Sequence, residues 1–271
     1  MIIHKILHPI SLMISRKIHG KTLHILSEMP LEKGGTIYMA NHSCRWDVPV
    51  AVDLLKRHTY VLAGKQSLQF MDWLGFEING TVWVDRKNRN SRSFAYKRMK
   101  KLLMKNNNLL IFPEGTWNLL PSSPMLPIYW GGITLAMETG KPLIPVVMEY
   151  RGNDVYIAFD KPIHYLKNQD KKQSADMLRD TMATLRWNIW EYFPKEKRSE
   201  IDMKEWDKEK EKRLKEYPKL NYRVVLGETV FATLPYVIVV LISKYLAMNN
   251  TKKGHWKEYF IEKYIDKKSY D

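Results

Sequence analysis

The sequence predicts an α/β fold: a largely parallel sheet covered by helices, with helical extensions at both ends. Three observations carry this reading. Short apolar runs bounded by turn residues recur at 36–40, 59–63, 80–84, 108–112, 143–148 and 154–159. Segments of helical periodicity fall between several of them, near 48–57, 91–105 and 130–139. Strands alternating with helices of this length pair in parallel, because a parallel crossover needs a long connection to return the chain to the same sheet end. Finally, 45% hydrophobic and 12% aromatic residues among 271 supply a sizeable core and exclude global disorder.

In chain order, residues 1–19 come first. Ile2, Ile3, Ile6, Leu7, Ile10, Met13, Ile14 and Ile18 recur at near-helical spacing, with His4, Lys5, His8, Ser11, Ser15 and Arg16 mainly opposite. Such a basic amphipathic helix suits an anionic bilayer surface or an apolar groove of the protein itself, and Pro9 weakens it as one continuous helix. The segment lacks the clean apolar core and small-residue cleavage site of a secretory signal.

The six apolar runs follow as strands. Leu143-Ile144-Pro145-Val146-Val147 places a proline inside one of them, which predicts an edge strand or a bulge. The helix at 91–105 is expected to turn Phe94, Ala95, Met99, Leu102 and Leu103 inward. A further helix over 171–193 is expected to bury Met177, Leu178, Thr181, Leu185, Ile189 and Trp190, and the charge-dense stretch 195–219 reads as a solvated helix. Residues 229–248 are the most apolar window, just long enough to span a bilayer but interrupted by Pro235 and Lys244. The tail 251–271 interleaves aromatic residues with lysines, which suits a membrane interface or packing.

Charge narrows the surroundings. Forty-four Lys and Arg against 29 Asp and Glu leave a formal net charge of +15, which favours polyanionic partners such as anionic membrane, phosphorylated substrates or nucleic acid. The cations are scattered and no nucleic-acid-binding motif is present, so nucleic acid is not expected as a partner. The single cysteine, Cys44, excludes an intrachain disulfide and a cysteine-based zinc cluster.

The chemistry gathers just after strands, where open parallel sheets bind ligands. Asn41-His42-Ser43-Cys44-Arg45-Trp46-Asp47 follows the first central strand, with Pro49 marking a helix start. Five residues apart on one helix, His42 and Asp47 would diverge by about 140°. They converge only if His42 lies on the loop and Asp47 opens the next helix; otherwise Asp47 merely caps the helix. Gly80-Thr81-Val82-Trp83-Val84-Asp85-Arg86 ends another strand on a charged pair. Phe112-Pro113-Glu114-Gly115-Thr116 ends a third, offering an acceptor, a hydroxyl and a glycine that permits close backbone approach, or simply an ordinary turn.

Together these blocks resemble the PlsC-like glycerolipid acyltransferases, the 1-acyl-sn-glycerol-3-phosphate acyltransferase type, over roughly residues 20–160. The resemblance rests on NHSCRWD at 41–47, GTVWVDR at 80–86, FPEGT at 112–116 and LIPVV at 143–147, in that order. It implies a sheet of the glycerolipid acyltransferase type with 20–165 as the catalytic domain, flanked by the helix at 1–19, a charge-rich helical region at 166–220 and an apolar then aromatic and basic region at 221–271. It implies His42 as general base with Asp47 as its partner. Arg86, Glu114, Gly115 and Thr116 would hold the phosphorylated acceptor, and Pro145 would shape a pocket.

The implied reaction moves a fatty acyl group from acyl-CoA or acyl carrier protein to the hydroxyl of a lysophospholipid or glycerol phosphate, at a membrane and without metal or bound cofactor. A catalytically silent lipid-binding protein on the same scaffold is the alternative. Trp117 and Ile128-Tyr129-Trp130-Gly131 depart from the family, standing where arginine and a lysine-bearing stretch are common. Cys44, two residues from His42, is not expected to act as an acyl-carrying nucleophile.

Overall fold

In the computed structural model, residues 2–65, 70–120, 123–195, 197 and 202–216 are described. The apolar window 229–248 and the tail 251–271 lie outside them. One seven-stranded sheet organises the described chain, in the order β1-β7-β6-β2-β5-β3-β4. Its strands are β1 Thr22–Ile25, β2 Ile37–Ala40, β3 Thr59–Gly64, β4 Thr81–Val84, β5 Asn108–Ile111, β6 Leu143–Arg151 and β7 Asp154–Phe159. All neighbours pair in parallel except β6 and β7, a hairpin. The largely parallel, helix-covered sheet read from the sequence is the one that forms.

All six anticipated strands are present. Edge strand β1, with the sequence TLHI, was not anticipated. It is half exposed and alternates weakly, so it carries neither the apolar run of a buried strand nor a clear period of two.

Helices cover both faces. On one side α3 (Asp47–Leu55) packs beneath α2 (His8–His19), burying Val50, Ala51, Leu54 and Leu55 against Tyr38, Leu110, Ile144, Val146 and Met148. On the other, α5 (Arg89–Met104), α6 (Gly131–Thr139) and α7 (Lys171–Glu191) enclose Ile37, Leu109, Ile111, Leu143 and Val147. The remaining helices are α1 (Ile2–Ile6), α4 (Phe70–Asn79) and α8 (Met203–Glu216). Of these α4 was not anticipated, while α8 falls within the charge-dense stretch. Among the described residues no helix is long and apolar enough to cross a membrane.

Two helical faces are rotated from the sequence reading. Ala95, Met99, Leu102 and Leu103 of α5 are buried as expected, but Phe94 points outward. In α7 the inward stripe is Ala175, Leu178, Met182, Arg186 and Ile189, leaving Met177 exposed. The arginine decides this register, because its guanidinium bonds Glu149 at 2.8 Å and the Pro124 carbonyl at 2.9 Å. A satisfied buried arginine is invisible to a hydrophobic pattern.

Pro145 corrects another expectation. It lies in an internal strand, opposite Met39 of β2, and not at an edge. Its carbonyl accepts from Asp160 N at 3.1 Å, on the β7 side, so its missing N–H also faces that side. There the β6–β7 ladder ends at the Val146–Phe159 pair, so the missing N–H falls at the end of the ladder.

Residues 2–19 form two helices, α1 and α2, with Pro9 in the first turn of α2, where its missing N–H costs nothing. Ser11, Ile14, Ser15 and His19 of α2 face the protein, whereas Ile6, Ile10 and Met13 are 68%, 43% and 64% exposed.

Candidate active site

The sheet order explains which loops meet. β2 and β5 are adjacent, so the segments following their carboxyl ends, 41–47 and 112–118, start side by side. His42 sits on the loop after β2, and Asp47 is the first residue of α3. Their side chains converge: Nδ1 of His42 lies 2.6 Å from Oδ2 of Asp47. The carboxylate is fully buried, while the imidazole keeps 18% exposure.

Asp47 does not act as a helix cap. Trp46 occupies the cap position without a side-chain bond, and the Asp47 carboxylate reaches back instead. Its Oδ2 accepts from the amides of Ser43 at 2.5 Å and Cys44 at 2.9 Å, and Oδ1 faces the Cys44 thiol at 3.7 Å. Two backbone amides, a thiol and the imidazole thus converge on one buried carboxylate. With Nδ1 donating to Asp47, Nε2 is the imidazole nitrogen left to accept a proton.

The imidazole is held on other sides as well. Phe112 stacks on it with ring centroids 4.4 Å apart, and buried Trp117 meets it edge-on at 5.9 Å. The backbone is fixed too: His42 O accepts from Asn118 N at 2.6 Å, and His42 N donates to Glu114 Oε1 at 2.8 Å.

Glu114 is buried, and its other oxygen accepts from Leu126 N at 2.9 Å. Burial raises its pKa, partly opposed by these two amide bonds. Glu114 therefore lies beneath the site, clamping two loops, with both oxygens occupied by backbone donors.

Arg86 reaches the site from a distance. It follows β4, at the sheet edge and separated from β5 by β3. Gly64 ends β3, and a Cβ there would lie 3.7 Å from the Arg86 guanidinium, so a larger side chain would crowd its path. The guanidinium continues to Gly115, where a Cβ would come within 3.3 Å of Nη1. Gly115 has φ +69°, a left-handed conformation that favours glycine, and the Tyr129 ring lies over it. Thr116 follows in the same turn, partly exposed. His42, Asp47, Arg86, Gly115 and Thr116 thus gather at the carboxyl ends of the strands, with Glu114 under them. Pro145 stays within the sheet.

Cys44 is buried, and burial followed by the Asp47 carboxylate pushes its thiol pKa well up. It is a thiol, not a thiolate, near neutral pH, which disfavours it as a nucleophile. Among the described residues no group of three His, Cys, Asp or Glu side chains is placed to hold a metal ion.

Comparison with known proteins gives this arrangement its family. Residues 17–149, which contain all of these loops, match the family described as Acyltransferase. Residues 17–149 belong to the acyltransferase family. The acyltransferase region is similar to the 1-acyl-sn-glycerol-3-phosphate acyltransferase of Haemophilus influenzae, 27% identical over 138 residues that cover 50% of this chain and 56% of that protein. It is also similar to the protein of the same name from Saccharomyces cerevisiae, 30% identical over 132 residues covering 48% of this chain and 43% of that one. The chain spans about half the length of the curated relatives it matches. The fold matches the crystal structure of the 1-acyl-sn-glycerophosphate (LPA) acyltransferase PlsC from Thermotoga maritima, with TM-score 0.56 and 14% identity over 69% of this chain and 81% of that one.

Sequence reasoning missed several contributors to the site. Phe112 and Trp117 flank the glutamate–glycine turn and were read as strand end and family departure, although an aromatic on either side of a catalytic-type loop is itself a packing signal. No sequence pattern marks Gly64 as the passage for Arg86, because the neighbour relation of β3, β4 and β5 is tertiary.

Proposed function

We propose that this protein is a glycerolipid O-acyltransferase that moves a fatty acyl group from an acyl thioester to the free hydroxyl of a lysophosphatidic-acid-type acceptor. The observation that carries this reading is the buried Asp47 carboxylate bonded to His42 Nδ1, with Nε2 left for a substrate hydroxyl. His42 Nε2 takes the hydroxyl proton as the oxygen attacks the thioester carbonyl. Asp47 holds the tautomer and stabilises the imidazolium, as the aspartate does in hydrolytic triads. On collapse of the tetrahedral intermediate the thiolate leaves and the imidazolium returns its proton to it. The substrate hydroxyl replaces a protein nucleophile, which agrees with the inert, buried Cys44 thiol.

Arg86 is the cation for the acceptor phosphate, its guanidinium beside Gly115. Glu114 is a positioning residue: its carboxylate fixes the His42 backbone. The relatives' shared name, 1-acyl-sn-glycerol-3-phosphate acyltransferase, supports the acceptor class. Membrane association completes the reading, since such an acceptor resides in the bilayer. The exposed Ile6, Ile10 and Met13 on α1 and α2, beside Lys5, Arg16 and Lys17, support contact with an anionic surface.

The test is an acyl-transfer screen of the purified protein, crossing acyl-CoA and acyl carrier protein donors with glycerol phosphate, lysophosphatidic acid and other lysolipids. Transfer to lysophosphatidic acid, lost in His42→Ala and with a raised acceptor KM in Arg86→Ala, is the expected result. Absence of transfer from either donor to every acceptor would instead favour a lipid-binding protein on this scaffold.

A further inference from the structure

Tyr150 lies near the end of β6, two residues beyond Met148, so the pleat points both side chains to the face of the sheet that α3 covers. Asn41, which opens the loop carrying His42, is bonded to Met148 in both directions, donating to its carbonyl at 3.0 Å and accepting from its N–H at 2.8 Å. The catalytic loop is thereby stapled to β6 just before Tyr150. Although the residue is partly exposed, the Tyr150 hydroxyl is buried and approaches the Asp47 carboxylate and the Cys44 thiol without completing a hydrogen bond of good geometry to either.

Its neighbours are the Asp47 carboxylate and the Cys44 thiol. After burial itself, these two groups are what push the Tyr150 pKa well up. A buried phenol without a partner is costly, and buried polar groups are rarely left so. On the other side of the pair, the donors to Asp47 are unevenly shared. Oδ2 takes His42 Nδ1, Ser43 N and Cys44 N, whereas Oδ1 has only a thiol at 3.7 Å. An orphan donor thus stands beside an underused acceptor.

We propose that Tyr150 is a positioning residue for the proposed reaction: its hydroxyl donates to Asp47 Oδ1 and holds the carboxylate in register with the His42 imidazole. A small shift of the phenol or of the carboxylate closes the bond, which tightens as imidazolium forms. The hydroxyl shares the carboxylate's charge, so it also lowers the pull of Asp47 on the His42 proton. The other ionisable groups bearing on this cluster are Glu114, whose carboxylate accepts from His42 N, and Arg213, which acts on Cys44.

The inference rests on His42 as base for its effect on turnover, but not for its effect on titration. The experiment follows the His42 ring signals by NMR against pH in the full chain, in wild type, Tyr150→Phe and a protein carrying 3-fluorotyrosine at position 150. Loss of the donor leaves Asp47 more basic, so in Tyr150→Phe the His42 midpoint is expected to rise by about half a pH unit. The more acidic fluorophenol is the stronger donor, and the midpoint is expected to fall. In parallel, kcat in Tyr150→Phe is expected to drop about fivefold, the value of one ordinary hydrogen bond. Unmoved midpoints in both folded proteins, or shifts of the same sign, would overturn the assignment. If His42→Ala retains activity while the midpoints move as expected, the proposed mechanism fails and the Tyr150–Asp47 bond stands.

Discussion

Asp47 Oδ2 lies 2.6 Å from His42 Nδ1 and at the same time accepts the backbone amides of Ser43 and Cys44. One carboxylate therefore shapes the loop and orients the imidazole. Aspartate suits this double task because an ionised carboxylate accepts several bonds at once and donates none.

Asp47→Asn separates the two tasks. An amide can still accept one of the backbone bonds, but its NH2 group carries no charge to steady the imidazolium. Turnover is expected to fall by at least about 10²-fold, with a loss of about 1–3 kcal/mol in stability from the disturbed buried donors. Steady-state kinetics and denaturant unfolding of the same preparation measure both. Loss of stability with turnover intact would leave Asp47 a purely structural residue.

Gly115→Ala tests the seat of Arg86. The new Cβ would lie 2.7 Å from the Tyr129 ring and 3.3 Å from Arg86 Nη1, on a backbone with φ +69°. The left-handed backbone alone costs about 1–2 kcal/mol, and both side chains must move. Acceptor KM is expected to rise about tenfold or more, with donor KM little changed. Adding Tyr129→Ala should recover part of the loss by freeing the ring's space. Equal effects on both substrates would remove the acceptor assignment.

Acid should loosen the docking of α1 and α2. His58 lies among His4, His8 and Tyr60, donates from Nε2 to Asn79 O at 2.7 Å, and has its pKa lowered to about 4 by burial, with nearby His8, His4 and Lys5 adding to the fall. His4 is lowered as well, by burial first. Between pH of about 6.5 and 4 the unfolded chain binds a proton at His58 that the folded chain does not, so stability present above about 6.5 is lost as pH falls toward 4. His58→Gln keeps a donor for Asn79 O and removes the titration. Thermal midpoints of the two proteins should diverge with acidification, the wild type falling faster. Parallel curves would assign the acid sensitivity elsewhere.

Ile6, Ile10 and Met13 present apolar surface outward beside basic residues. Replacing all three with serine should cut sedimentation with anionic vesicles at low salt at least about fivefold, while leaving the fold unchanged by circular dichroism. Undiminished sedimentation would place membrane attachment outside α1 and α2.

How much of this was legible in the chain varies with the range of the interaction. The strands β2 to β7 stand out because buried parallel strands are continuous apolar runs, and turn residues bound them. The His42–Asp47 pair was legible as a condition, since five residues bring the two together only across a loop-to-helix junction, and Pro49 marks that junction. Local chemistry wrote these features, so local reading found them.

Tertiary structure alone decided the rest. The order β2-β5-β3-β4 sets Arg86 two strands from β5, and only that order makes Gly64 a passage and Gly115 a landing place. The buried Arg186 turned α7 away from its hydrophobic stripe because its partners, Glu149 and the Pro124 carbonyl, come from distant parts of the chain. Glu114 became a clamp because amides from residues 42 and 126 converge on it. Tyr150 met Asp47 because β6 runs beside β2, a neighbour relation that 102 intervening residues conceal. Periodicity and turn chemistry specify which elements form. The bonds across the sheet, made between groups far apart in sequence, specify which side chains face one another.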